Sequence, residues 1–266
     1  MNAELLLMHT ISCDRAYLFA HPERELTSEE DSSYQEVLEE RARGVPAQYI
    51  TGHQEFWGMD FIVSPAVLIP RPETEHVIET VLGLVSTISA SPRSHGDVIR
   101  IGDVGTGSGC IALALASELP AAEIQATDVS PAALEIARAN AARLELNKRV
   151  HFQETDLLKG LGTDFDVIVS NPPYVGESEE DQVQLEVRKF EPRNAVFAGP
   201  SGTEVIERLI PEAQERLHAG GWLVMEISGT IAERAKALLM SWDEVEVIAD
   251  LQSIPRVIRA RKPKAG

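Results

Sequence analysis

Four consecutive residues, Asn171-Pro172-Pro173-Tyr174, carry the most specific chemistry in the chain. They follow Val167-Ile168-Val169-Ser170, a β-type apolar run. Two prolines cannot continue a ladder, so a strand must stop where the Asn171 amide is presented. The Asn171 side-chain oxygen and the Pro172 carbonyl are two acceptors for the two N–H bonds of a planar NH2 group, and proline adds no competing donor. Tyr174 supplies a flat ring that can stack on such a group and exclude water.

A second group is Gly105-Thr106-Gly107-Ser108-Gly109, with Asp103 two residues before it. A Gly-x-Gly-x-Gly turn lets the backbone approach a ligand and aims amide N–H groups at it. Gly107, Gly109 and Ala112 also satisfy a loose dinucleotide pattern, so nicotinamide and nucleoside cofactors are both open on these residues. Asp128 suits a ribose hydroxyl pair, which either cofactor has. Asp156, followed by Leu157 and Leu158, offers an adenine ring a polar group and an apolar wall.

The elements that position these residues alternate in a strand, turn, helix rhythm. Strands are expected over 98–104, 123–127, 150–153 and 165–170, and helices over 110–119 and 132–146. Ser130-Pro131 reads as an N-cap with proline at the first helical position. Further on come a helix over 204–218, a turn at Gly220-Gly221, a strand over 222–227 and a helix over 231–240. Two last strands, 244–249 and 255–260, have no helix between them and must be antiparallel. The fold class is therefore α/β, a mainly parallel sheet with an antiparallel C-terminal strand. In such sheets ligands collect at the carboxyl ends of the strands. The glycine turn, Asp128, Asp156 and Asn171 all fall there.

Ahead of this lie a small helical unit and a hairpin. Residues 3–43 are helical in pattern, with a capped start at Thr27-Ser28-Glu29-Glu30 and a close at Gly44-Val45-Pro46. Residues 56–63 read as a β-hairpin around Gly58, and 67–69 as a further extended piece. Arg71 is then held between two prolines ahead of Glu73, Thr74 and Glu75, where a helix over 75–85 opens. Residues 91–97 read as a surface loop.

Composition narrows the classes. The net charge of −18 opposes stable nucleic-acid binding, since such sites are built from Lys and Arg. Cys13 and Cys110 are far apart and the seven histidines are scattered, so no metal site is expected and the thiols read as reduced. No signal-peptide pattern follows Met1 and no apolar run reaches membrane length, so the expected location is cytoplasmic.

Gly105-Thr106-Gly107-Ser108-Gly109 together with Asn171-Pro172-Pro173-Tyr174 resembles the class I S-adenosylmethionine-dependent methyltransferases of planar nitrogens. Within them, Pro46-Ala47-Gln48-Tyr49-Ile50-Thr51-Gly52, Phe56-Trp57-Gly58, Val67-Leu68-Ile69-Pro70-Arg71-Pro72-Glu73-Thr74-Glu75 and Gly107-Ser108-Gly109-Cys110-Ile111-Ala112 resemble the PrmC/HemK family. The resemblance covers nearly the whole chain. It implies a Rossmann-like domain over 73–266, a hairpin linker over 53–72 and a helical substrate-recognition unit over 1–52. It implies S-adenosylmethionine as cofactor, held by Asp103, Gly105, Thr106, Gly107, Ser108, Gly109, Asp128, Asp156, Leu157 and Asn171. It implies transfer to the glutamine of the Gly-Gly-Gln motif in class 1 peptide chain release factors. The substrate would meet Arg71, Pro72, Glu73, Asn171, Pro172, Pro173 and Tyr174, the last four catalytic. The family commonly has one or two more helices ahead of the position of Ala3, and some relatives carry an aromatic residue where Leu157 stands.

Three other readings remain beside this one. The Asn-Pro-Pro-Tyr motif is shared with adenine-N6 methyltransferases of DNA or RNA, which the net charge disfavours. Enzymes that methylate a glutamine of a ribosomal protein usually differ at the Arg71–Glu75 segment. A non-catalytic protein that retains a cofactor pocket is the third. A monomer is expected, and Glu29, Glu30, Glu36, Glu39 and Glu40 form an acidic face suited to a basic partner.

Overall fold

A computed structural model describes residues 2–89 and 98–264, so the loop expected over 91–97 lies outside the described residues. The chain begins with α1 (Asn2–Thr10), α2 (Arg15–Ala20), α3 (Ser28–Ala42) and α4 (Ala47–Thr51). Thr27 and Glu30 cap α3 reciprocally, each side chain bonding the other's backbone N–H. The helices bury Leu6 between them. α4 was not expected; it takes up the stretch after Pro46, and Tyr49 on it donates its hydroxyl to the Val67 carbonyl at 2.7 Å.

β1 (His53–Phe56) and β2 (Met59–Ile62) form the hairpin, turning through Trp57 and Gly58, both at positive φ. That pair of dihedrals matches the right-handed twist of two strands joined by a two-residue loop. Residues 67–69 join no ladder; they run irregularly to a 3-10 turn over Pro72–Thr74, and α5 (Glu75–Ser89) follows.

The main domain then alternates: β3 (Arg100–Val104), α6 (Cys110–Glu118), β4 (Glu123–Asp128), α7 (Pro131–Arg143), β5 (Val150–Glu154), β6 (Phe165–Ser170). A segment absent from the sequence reading comes next, with β7 (Val175–Gly176), a 3-10 turn over Glu177–Gln182, α8 (Leu185–Phe190), α9 (Arg193–Val196) and β8 (Phe197–Gly199). The chain closes with α10 (Glu204–Arg216), β9 (Leu217–Glu226), α11 (Ala232–Leu238), β10 (Asp243–Ala249) and β11 (Pro255–Arg261).

Seven strands form one sheet in the order β10-β11-β9-β6-β3-β4-β5. β9, β6, β3, β4 and β5 are parallel, and β11 runs antiparallel to both of its neighbours. Strand residues alternate between two cores. Val167, Val169, Trp222 and Val224 pack under α5, α6 and the hairpin, whereas Ile168, Leu223 and Met225 pack under α10 and α11. One expectation is corrected: β9 does not start after a turn at Gly220-Gly221 but runs through it from Leu217. A Cβ on Gly221 would lie 3.0 Å from the Phe165 carbonyl oxygen, so glycine here allows a close, bulged approach to β6.

Candidate active site

The winding reverses at β3, which has β4 on one side and β6 on the other. A cavity of about 360 Å³ opens at the carboxyl ends of these strands, within the size range of small-ligand sites. Gly105 to Ser108, Asp128, Asp156, Leu157, Asn171, Pro172 and Pro173 all line it, as does Arg71. Up to a hundred residues of sequence separate these groups, as between Arg71 and Asn171, and the order of the strands brings together those that follow β3, β4 and β6.

The floor is the glycine turn. Gly107 has φ +55, and its N–H donates to Asp128 Oδ2 at 2.9 Å. Asp128 Oδ1 accepts the Ser130 N–H at 2.9 Å. A carboxylate has more acceptor sites than these two bonds use, so Asp128 can still accept from a vicinal hydroxyl pair. Burial raises the Asp128 pKa while those backbone N–H groups lower it. Gly109 has a different duty. A Cβ there would meet Ala137 and Leu113 at 3.2 Å, so its glycine permits α6 and α7 to pack closely. Asp103 also lies outside the cavity wall, completely buried under the turn, where it accepts the Thr106 hydroxyl at 2.6 Å.

The opposite side combines an apolar wall with a charged rim. Leu157 sits at φ +53, its carbonyl accepting Thr127 Oγ1–H at 2.9 Å. Asp156 is paired with Arg208 at 2.5 Å and Lys159 at 2.6 Å, which together hold its carboxyl below the usual range. These features fit an adenosine-bearing ligand: a paired hydroxyl acceptor, an open amide-lined turn and an apolar wall with a polar neighbour.

Asn171 stands at the junction with a second cavity of about 170 Å³, which shares Leu68, Arg71, Asn171 and Ala195 with the first. Its Nδ2 donates to Thr74 Oγ1 at 3.2 Å, so Oδ1 is left as the acceptor. Tyr174 borders this smaller cavity rather than the larger one, and its hydroxyl donates to Glu226 Oε1 at 3.2 Å. Arg71 is anchored by the fully buried Glu191 side chain, whose other oxygen accepts the Ile69 N–H at 3.1 Å. Pro72 and Glu73 are not brought to either cavity wall; Glu73 turns away to Arg256 at 3.5 Å. Buried Cys110 borders the larger cavity with its thiol pKa pushed up to about 12 by desolvation, so it supplies no thiolate.

Three residues of the site escaped the sequence reading: Glu191, Glu226 and Thr74 in its side-chain role. Glu226 had a legible signal, since it ends a parallel strand just as Asp128 does. Glu191 had none, because the 175–199 segment lacks periodicity. Among the described residues, no group of three or more His, Cys, Asp or Glu is placed to hold a metal, and no helix is long and apolar enough to cross a membrane.

The PrmC N-terminal domain model matches residues 1–52, and the methyltransferase small domain model matches residues 83–189. A release factor glutamine methyltransferase of Koribacter versatilis is 54% identical over 99% of this chain and 91% of its own. One from Rhodopirellula baltica is 39% identical over 98% of this chain and 89% of its own. Among solved structures, the catalytic domain of human METTL16 bound to MAT2A 3'UTR hairpin 6 superposes with a TM-score of 0.60. It is 19% identical and covers 80% of this chain and 79% of that chain, a likeness of fold alone. On the strength of full-length identity with the curated relatives, the chain belongs to the release factor glutamine methyltransferase family.

Proposed function

We propose that this protein transfers the methyl group of S-adenosylmethionine to the side-chain nitrogen N5 of the glutamine in the Gly-Gly-Gln motif of class 1 peptide chain release factors. The observation that carries the chemistry is the tie between Asn171 Nδ2 and Thr74 Oγ1, which leaves Asn171 Oδ1 as an acceptor at the meeting of the two cavities. S-adenosylmethionine supplies an electrophilic methyl group when bound.

The glycine turn, Asp128 and Leu157 hold the nucleoside end of the cofactor. Asp103 acts from beneath the turn by fixing Thr106. Asn171 Oδ1 and the Pro172 carbonyl accept the two N–H bonds of the substrate amide. This holds the amide plane fixed and favours positive charge on a nitrogen that is otherwise a weak nucleophile. Positioning contributes most of the acceleration, about 7 kcal/mol or more. The proton leaves after transfer, when the alkylated amide is strongly acidic, so no strong base is required. Arg71, locked between its prolines and Glu191, presents a cation where the substrate backbone passes.

Residues 1–52 act as the recognition unit, 53–72 as the linker and 73–266 as the transfer domain. Two contacts support a fixed seat for the first: Arg41 on α3 pairs with Glu186 on α8 at 2.9 Å, and Gly44 lies close to the Phe190 ring. The enzyme works as a cytoplasmic monomer without stable binding to nucleic acid.

Incubation with a release factor and methyl-labelled S-adenosylmethionine should place label on one glutamine. Label on a ribosomal protein or an oligonucleotide instead would assign the other readings. Asn171→Ala should lower turnover by roughly 10²- to 10³-fold while cofactor binding persists. Unchanged biological activity in that variant would mean a binding protein rather than an enzyme.

A further inference from the structure

We propose that Glu226 and Thr74 are positioning residues that set which end of the Asn171 amide meets the substrate, and that the same carboxylate sets Tyr174. The inference rests on the reading of Asn171 as the acceptor for a substrate NH2 group.

Glu226 ends β9 with its side chain in the interior, 3% exposed, and Thr74 is 1% exposed. Glu226 Oε2 accepts the Thr74 hydroxyl at 2.6 Å and Oε1 accepts the Tyr174 hydroxyl at 3.2 Å. A hydroxyl has one proton. Thr74 commits its proton to the carboxylate and shows Asn171 only lone pairs. An amide end that faces lone pairs must be the NH2 end, and Nδ2 does face Thr74 at 3.2 Å. Asn171 Oδ1 then points away from Thr74, as the transfer geometry requires. In the flipped amide, an NH2 group would confront the NH2 group of the substrate, leaving donors opposed and unpaired.

This polarity depends on Glu226 being an acceptor at both oxygens. The charged groups around it are Glu73 and Arg256, with Cys110, Tyr174 and Arg71 close by. Arg256 is already paired with Asp250 at 2.8 Å, so no cation is dedicated to Glu226. Burial pushes its pKa up to about 6, while the Thr74 and Tyr174 hydroxyls hold it down. Protonation turns one oxygen into a donor. A proton on Oε2 makes Thr74 reverse, which releases the Asn171 orientation; a proton on Oε1 reverses Tyr174 instead. Turnover should therefore fall as pH drops through about 6.

The experiment compares Thr74→Val, Thr74→Ser and Glu226→Gln with the parent, following methyl transfer to a release factor, cofactor affinity by calorimetry and the pH profile of kcat. Thr74→Val should lower kcat about 10- to 100-fold, the effect of losing one polarity-setting hydrogen bond, with cofactor Kd within about twofold. Thr74→Ser keeps the hydroxyl and should recover kcat to within about threefold of the parent. Glu226→Gln should lower kcat and lose the acid limb. A Thr74→Val enzyme as fast as the parent would overturn the inference, and so would an unaltered acid limb in Glu226→Gln. Equal losses in the Val and Ser variants would also overturn it, by pointing to packing. If Glu226→Gln does not fold, the Val and Ser pair decides. A parent that labels no glutamine refutes the functional reading, and this inference with it; an active parent with an indifferent Thr74→Val refutes this inference alone.

Discussion

Asp103 and Leu157 show how single residues hold the cofactor side in unfavourable states. Asp103 is completely buried, and desolvation pushes its pKa up to about 7 from 3.8 in spite of the Thr106 hydroxyl. The folded protein keeps a proton there that the unfolded chain gives up, so this contribution to stability is full below about pH 4 and is lost as pH rises through 7. Glu226, raised to about 6, acts in the same direction. Asp103→Asn removes the larger of these slopes, and its melting temperature relative to the parent should climb between pH 5 and pH 8. Thermal unfolding at constant ionic strength checks this; parallel curves would refute it. Leu157 keeps a left-handed backbone because Thr127 holds its carbonyl and Glu212 Oε2 accepts the Leu158 N–H at 3.0 Å. Leu157→Gly should relieve about 1 kcal/mol of strain and lose a comparable amount of apolar packing against the neighbouring core, so stability should stay near that of the parent. S-adenosylmethionine affinity should fall about tenfold through loss of the apolar wall, as titration calorimetry would read.

At the scale of elements, one buried amide joins three of them. Asn140 on α7 donates from Nδ2 to the Ile62 carbonyl at 3.0 Å and to the Ser108 carbonyl at 2.9 Å, and its Oδ1 accepts the Ile62 N–H at 2.7 Å. It thereby ties the hairpin to the glycine turn through the helix between them. Asn140→Ala leaves three backbone groups without that partner and should cost about 2–4 kcal/mol. The urea midpoint should fall at unchanged m-value, the mark of lost stability without a change in the surface exposed. Cofactor affinity should fall too, because the Ser108 end of the turn loses its anchor.

At the scale of the whole molecule, the net charge of −18 acts as a repulsion that every folded contact must overcome. Local pairs such as Arg15 with Glu4 and Arg259 with Glu246 offset it only at the surface, where each contributes little. Added sodium chloride shortens the screening length from about 10 Å at 0.1 M towards 3 Å at 1 M. The melting temperature should therefore rise between about 0.05 and 0.5 M salt. Affinity for a basic partner face should fall over the same range. A melting temperature that drops steadily with salt would show that paired charges, not the excess, dominate.

The sequence by itself determined what is local. Proline stops at Pro172 and Pro173, a glycine turn after an apolar run, an N-cap at Ser130 and the hairpin around Gly58 each depend on neighbours in the chain, and the strand ends imply one ligand-binding edge. Family resemblance extended that to substrate and cofactor. Tertiary structure alone decided which distant groups complete the site. Glu191 reaches Arg71 across 120 residues and Glu226 reaches Thr74 across 152. Nothing in the spacing of a carboxylate reports the hydroxyl or guanidinium it will face. Tertiary structure also sent Glu73 outward to Arg256 and put the Tyr174 hydroxyl on Glu226. The physical reason is that strand ends follow from local propensity, whereas the polarity of a buried hydrogen-bond chain exists only once the sheet has brought donor and acceptor together.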